Sequence, residues 1–223
     1  LAASGCEVLL EEVEAKDAIV TTPGGFDLLP GNGDLTAAEI KLMDALAREQ
    51  RLKERLAPLR EKYHYILIDC PPSLHLLTIN ALTAADGVIV PMQCEYFALE
   101  GLSSLVDTIR AVQTRLNPTL EIEGILRTMY DVRNNLANEV SAQLAKHFGD
   151  KVFRTVVPRN VRLAEAPSHG QSIVEYDRSS RGGIAYLGLA GEMIRRERGG
   201  AGAAAEGSTA SSGATGTATT EAN

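Results

Sequence analysis

Apolar and polar positions along the chain switch repeatedly between two periods, short continuous apolar runs and longer stretches with the 3.6-residue rhythm of a helix. Asp27–Leu29 reads as a short strand, and Asp34 with Glu39 opens a helix. Tyr65–Asp69 runs Tyr-Ile-Leu-Ile-Asp and stops at Pro71-Pro72, which predicts a buried parallel strand. The pattern then gives a helix over Leu74–Ala84, a strand at Gly87–Pro91, a helix over Leu99–Leu116 and a strand near Ile122–Met129. A helix over Asn135–Phe148, a strand Val152–Val157 and an amphipathic helix Gly183–Arg196 complete it. Strands alternating with helices predict an α/β fold, a doubly wound, mostly parallel sheet with right-handed crossovers and helices on both faces.

At 223 residues and 44% apolar, the chain supports one sizeable domain. That domain covers residues 1–199. From Gly200 to Asn223 the sequence turns almost wholly to Ala, Gly, Ser and Thr, with Glu206 and Glu221 its only charges, so 200–223 reads as a disordered tail. No apolar run reaches the roughly 18 residues of a spanning helix, and no secretory pattern opens the chain, so the expected location is cytoplasmic. Cys6, Cys70 and Cys94 lack paired spacing, which argues against a disulfide framework, a zinc ribbon or an iron–sulfur site. Lys+Arg number 22 against 29 Asp+Glu, a net charge of −7, so any contact with nucleic acid must come from a local basic patch.

Candidate chemistry starts at Asp69, a carboxylate at the end of an apolar run. Ligands bind at the carboxyl ends of strands in open α/β sheets, and an acidic residue there suits a hard Mg²⁺ ion held through water. Read from this segment alone, a cap on the turn before Pro71 serves equally well.

Longer motifs add a family resemblance. Asp69-Cys-Pro-Pro-Ser-Leu, Leu77-Thr-Ile-Asn-Ala-Leu82, Gln93-Cys-Glu-Tyr-Phe-Ala-Leu-Glu-Gly101, Val157-Pro-Arg-Asn-Val-Arg-Leu163 and Glu165-Ala-Pro-Ser-His-Gly170 closely resemble ParA/Soj-type chromosome and plasmid partitioning ATPases. The similarity runs from about Val8 to Arg196. It implies a deviant-Walker P-loop fold, ATP and Mg²⁺ as cofactors, and an ATP-bound homodimer. It also implies non-specific binding to double-stranded DNA, nucleoid association, hydrolysis stimulated by a ParB-type centromere-binding protein, and no membrane. Asp69 falls on the family's Walker B aspartate. Pro158 and Asn160 fall where relatives line the adenine pocket, although Pro-x-Asn is also an ordinary loop pattern. Arg133 and Arg162 fall where relatives contact the DNA backbone, which they would do through phosphate charge without reading bases.

The chain departs from the family in having no Gly-x-x-x-x-Gly-Lys-[Ser/Thr] cradle. A first residue that is leucine, close to a helical pattern, leads us to expect that the chain starts inside a longer one, after a strand–loop–helix–strand unit. The ATPase assignment then belongs to the intact parent, with the present residues alone inactive. Such a piece would also leave an exposed sheet edge. Arg127 interrupts an apolar strand, and His75 stands where the family usually has glycine. Two alternatives remain: a MinD-like division-site ATPase, which would need a basic amphipathic membrane helix that the C-terminus lacks, and a non-enzymatic shortened paralogue acting as a binding module.

Overall fold

The computed structural model describes residues 3–209. The first sixty residues fold into short pieces: α1 (Gly5–Leu9), α2 (Ala15–Ala18), β1 (Val20–Thr21), β2 (Asp27–Leu28), α3 (Leu35–Leu42) and α4 (Arg51–Leu56). The hydrophobic pattern gave a helical start to the chain without bounds and missed α2 and α4, because helices of so few residues complete hardly one turn of apolar periodicity. A capping box starts α1: the Glu7 carboxylate accepts from the Ser4 N–H (2.8 Å) and hydroxyl (2.7 Å), and the Ser4 hydroxyl oxygen accepts backbone N–H groups of the first turn, that of Cys6 at 3.2 Å. β1 and β2 pair antiparallel. Helix α3 begins at the expected place, but the Asp34 carboxylate accepts from the Asn32 side-chain amide instead of capping the helix. Val8, Ala15, Ala18 and Leu59 form a small core under these pieces.

The main body follows in the expected alternation: α5 (Leu76–Ala84), β3 (Gly87–Gln93), α6 (Ala98–Arg115), β4 (Glu121–Tyr130), α7 (Asn135–Phe148) and β5 (Val152–Pro158). The last part of the chain holds α8 (Val161–Glu165), α9 (Ile173–Asp177) and α10 (Arg181–Thr209). Strands β3, β4 and β5 make a three-stranded parallel sheet in that order. Alternate side chains leave its two faces. Val90, Met92, Ile125 and Val152 pack with Leu102 of α6 and Ala137, Val140 and Leu144 of α7. Leu126, Phe153 and Val157 pack against Leu189 of α10 on the opposite face. Helices therefore cover both faces, as a doubly wound sheet requires.

Three polar devices hold this body together. The Arg127 guanidinium, which looks out of place in an apolar strand, donates to the backbone oxygens of Phe153 (2.8 Å) and Arg154 (3.3 Å) and to Ser141 Oγ (2.9 Å). The β4–β5 ladder shifts register on either side of Arg127, so the guanidinium serves carbonyls that the irregular ladder leaves over. Glu192 of α10, 6% exposed, accepts from the backbone N–H groups of Arg154 and Thr155 (2.8 Å each), the Thr155 hydroxyl (2.7 Å) and Arg196 (2.9 Å). Asn80, fully buried, ties α5 to the N-terminal pieces by accepting from Leu52 N and donating to the Arg48 carbonyl. Gly124 of β4 is required by packing, since a Cβ there would lie 2.4 Å from the Phe153 ring.

One expected strand is absent. Tyr65–Asp69 joins neither sheet, and Tyr65, Ile66 and Leu67 are exposed. A strand exists by pairing, and no described strand lies in register with this segment. The last helix also differs from the expectation. It continues to Thr209, well beyond Arg196, because Ala201 and Ala203–Ala205 have high intrinsic helix propensity. The remainder of the tail, 210–223, lies outside the described residues. Among the described residues no helix is long and apolar enough to cross a membrane.

Candidate functional site at the carboxyl edge of the sheet

Because β3, β4 and β5 are parallel, the segments that follow them emerge at one edge of the sheet. Tyr130 at the end of β4 is paired with Pro158 at the end of β5, and the Arg159 N–H donates to the Tyr130 carbonyl (3.4 Å). The loop carrying Arg133 and the turn carrying Pro158, Arg159 and Asn160 are thereby neighbours, with Arg162 just inside α8. Sequence reading named Arg133, Pro158, Asn160 and Arg162 from two distant stretches, and the β4–β5 pairing brings the stretches together.

Asn160 has a structural duty. Its Oδ1 accepts from the Leu163 N–H (3.3 Å), capping α8. Pro158, half-buried, closes β5, where a residue without an N–H is tolerated at the end of a ladder. The cap uses the oxygen of the Asn160 amide and leaves its NH₂ group for other acceptors.

Both candidate DNA arginines are engaged by carboxylates. Arg133 donates from Nε (3.0 Å) and Nη2 (2.8 Å) to the two oxygens of Asp131, whose Oδ1 also accepts the Arg133 N–H (3.0 Å). Hydrogen bonds from Arg133 hold the Asp131 carboxyl at about 2, and Arg159 adds a smaller pull in the same direction. Arg162 donates to Glu165 (2.9 Å) and lies 3.6 Å from Asp177, and hydrogen bonding to Glu165 raises its own pKa. The Tyr176 hydroxyl also donates to Glu165 (3.3 Å), and the Tyr176 ring stacks on His169. Sequence reading passed over Asp131, Glu165 and Asp177. The Asp-x-Arg spacing in a loop and Arg-x-x-Glu on one helical turn were the signals available.

Asp69 stands apart from this cluster. It is exposed and lies on the unpaired segment rather than at the end of a sheet strand, so the expected strand-end geometry is not realised here. The segment leads through Pro71-Pro72 to α5, where the Thr78 hydroxyl bonds the Ser73 carbonyl (2.7 Å). His75, also exposed, is the N-cap residue of α5, but its side chain makes no capping bond. Among the described residues no group of three or more His, Cys, Asp or Glu side chains could hold a metal ion. A lone exposed carboxylate is the donor set of an ion held mostly by water and phosphate, and Asp69 fits that role and no fuller one. The cysteines divide as incidental thiols do: Cys6 and Cys94 are buried and Cys70 is exposed.

A family model described as an AAA domain matches residues 2–122. The sporulation initiation inhibitor protein Soj of Bacillus subtilis is 53% identical over 84% of this chain and 74% of its own length. The chromosome partitioning protein ParA of Caulobacter vibrioides is 51% identical over 86% of this chain and 73% of its own. Among solved structures, cobyrinic acid a,c-diamide synthase from Mycobacterium smegmatis, with bound ADP and magnesium, superimposes with a TM-score of 0.76 at 39% identity. It covers 89% of this chain and 74% of that one. The fold is that of the P-loop NTPases, and the chain belongs to the ParA/Soj family of partitioning ATPases.

Proposed function

We propose that the protein acts in ATP-dependent segregation of DNA, binding duplex DNA non-specifically as an ATP-bound dimer and releasing it when a ParB-type partner stimulates hydrolysis. The observation that carries this reading is the convergence of Arg133 and Arg162 on one edge of the sheet, beside Pro158 and Asn160, through the pairing of β4 with β5. Family membership supports the same activity, and so does the nucleotide and magnesium bound to the synthase that shares the fold.

In this mechanism the apolar face of Pro158 and the free amide of Asn160 hold an adenine ring. Asp69 would hold a Mg²⁺ ion through water, and the ion when bound would supply charge to offset negative charge on the phosphate oxygens. Arg133 and Arg162 meet phosphates of the DNA backbone. Dimerisation doubles these contacts, which makes DNA affinity steeply dependent on the nucleotide. The resulting location is the cytoplasm, on the nucleoid. The 223 residues contain no lysine-bearing phosphate cradle, so by themselves they bind ATP weakly and hydrolyse it negligibly.

The test is retention on duplex DNA of the protein as its gene encodes it, with and without Mg-ATP, at low and moderate salt, alongside Arg162→Glu. Binding that requires ATP, weakens with salt and is lost in Arg162→Glu is the expected result. Binding indifferent to both ATP and Arg162 would overturn the reading.

A further inference from the structure

The contact between Arg133 and Asp131 has the form of a bound phosphate. A guanidinium presents two parallel N–H groups that match two oxygens of a carboxylate or of a phosphodiester equally well. In this structure Nε and Nη2 of Arg133 are both directed at the Asp131 carboxylate, at 3.0 and 2.8 Å. The pair is open to solvent, with the Arg133 side chain 86% exposed and that of Asp131 39%. It can therefore exchange partners without burying or unburying anything. Asp131 is also pinned by accepting the Arg133 N–H, which keeps the carboxylate at the fork when the arginine turns away.

We propose that Asp131 is an affinity-setting residue of the DNA site: its carboxylate occupies the Arg133 fork in the free protein, and a backbone phosphate must displace it to bind. The proposal rests on the reading that Arg133 contacts DNA, and adds that its contact is an exchange of one anion for another. Asp131 thereby lowers non-specific affinity by a small factor. Arg162 is engaged differently, by one hydrogen bond to Glu165 and a 3.6 Å approach to Asp177, so its fork is only partly occupied and the competition there is weaker.

Exposed ion pairs are weak, so the expected gain on freeing the fork is at most about fivefold in affinity. Asp131→Asn is the appropriate variant, since an asparagine oxygen still accepts the Arg133 N–H and preserves the turn. The experiment is a double-mutant cycle on duplex DNA with the gene-encoded protein and Mg-ATP: parent, Asp131→Asn, Arg133→Gln and the double variant, each titrated at several salt concentrations. Arg133→Gln is expected to weaken binding and to lower the salt slope by about one. Asp131→Asn is expected to tighten binding in the parent and to have a much smaller effect once Arg133 is gone. If Arg133→Gln changes nothing, the DNA role of Arg133 fails and the exchange falls with it. If Arg133→Gln weakens binding but Asp131→Asn does not tighten it, the exchange alone is overturned. Equal tightening with and without Arg133 also overturns it, because simple relief of negative charge then accounts for the gain.

Discussion

The chain contains the pair Ile-Leu twice in strand-like surroundings, and the two copies end in opposite environments. Ile125 and Leu126 of β4 are 0% and 5% exposed, one on each covered face of the sheet. Ile66 and Leu67 are 38% and 82% exposed on a segment that joins neither sheet. Local composition is nearly the same, so apolarity alone does not make a strand. β4 is a strand because β3 and β5 satisfy its backbone on both sides and α6, α7 and α10 cover its faces.

Substitutions should separate the two regions sharply. Phe153→Ala removes a fully buried ring between β4 and α10 and should cost about 3–5 kcal/mol in urea unfolding, enough to unfold a marginal domain. Gly124→Ala drives a methyl group into the same ring and should cost about 1–3 kcal/mol, with Gly124→Ala/Phe153→Leu recovering part of the loss.

Glu192 gives the body a dependence on pH. Burial pushes its carboxyl up, but the Arg154 and Thr155 N–H groups, the Thr155 hydroxyl and Arg196 outweigh that and hold it at about 2. A depressed folded-state pKa means that the stabilisation is complete above the unfolded carboxyl range, near 4.5, and disappears as pH falls towards 2. Glu192→Gln should lower stability by about 1–3 kcal/mol at neutral pH and flatten the loss between pH 4.5 and 2, as read by unfolding at a series of pH values. At the other extreme, Leu67→Asn should change stability by no more than about 0.5 kcal/mol, since the side chain it replaces is mostly in water. A large loss there would mean that Leu67 is covered in solution and would erase the contrast.

Legibility from sequence follows the same division. The α5-to-β5 alternation was readable to within a few residues because each element pairs or packs with its neighbours in the chain, so local pattern and final environment agree. Tyr65–Asp69 was misread because the periodicity of a buried strand reports what a segment would bury, not whether a partner strand stands beside it. Arg127 looked anomalous because its acceptors are carbonyls of β5, remote in sequence and freed by a register shift that leaves no mark on the sequence. At the candidate site, the motifs nominated Arg133, Arg162, Pro158 and Asn160. The ion-pair partners of the arginines were not nominated, since an aspartate two residues before an arginine reads as ordinary loop composition until the loop geometry closes the fork.

On the proposed function, nucleotide meets both the turn of Pro158 and Asn160 at the end of β5 and the open segment carrying Asp69, while the paired strands of the sheet serve as support. Amide hydrogen exchange on the gene-encoded protein, with and without Mg-ATP, tests it most directly. The expected result is that the amides of residues 65–75 gain protection when nucleotide is added, while those of residues 124–127 in β4 are protected throughout. Exchange at 65–75 that is unchanged by Mg-ATP would contradict it.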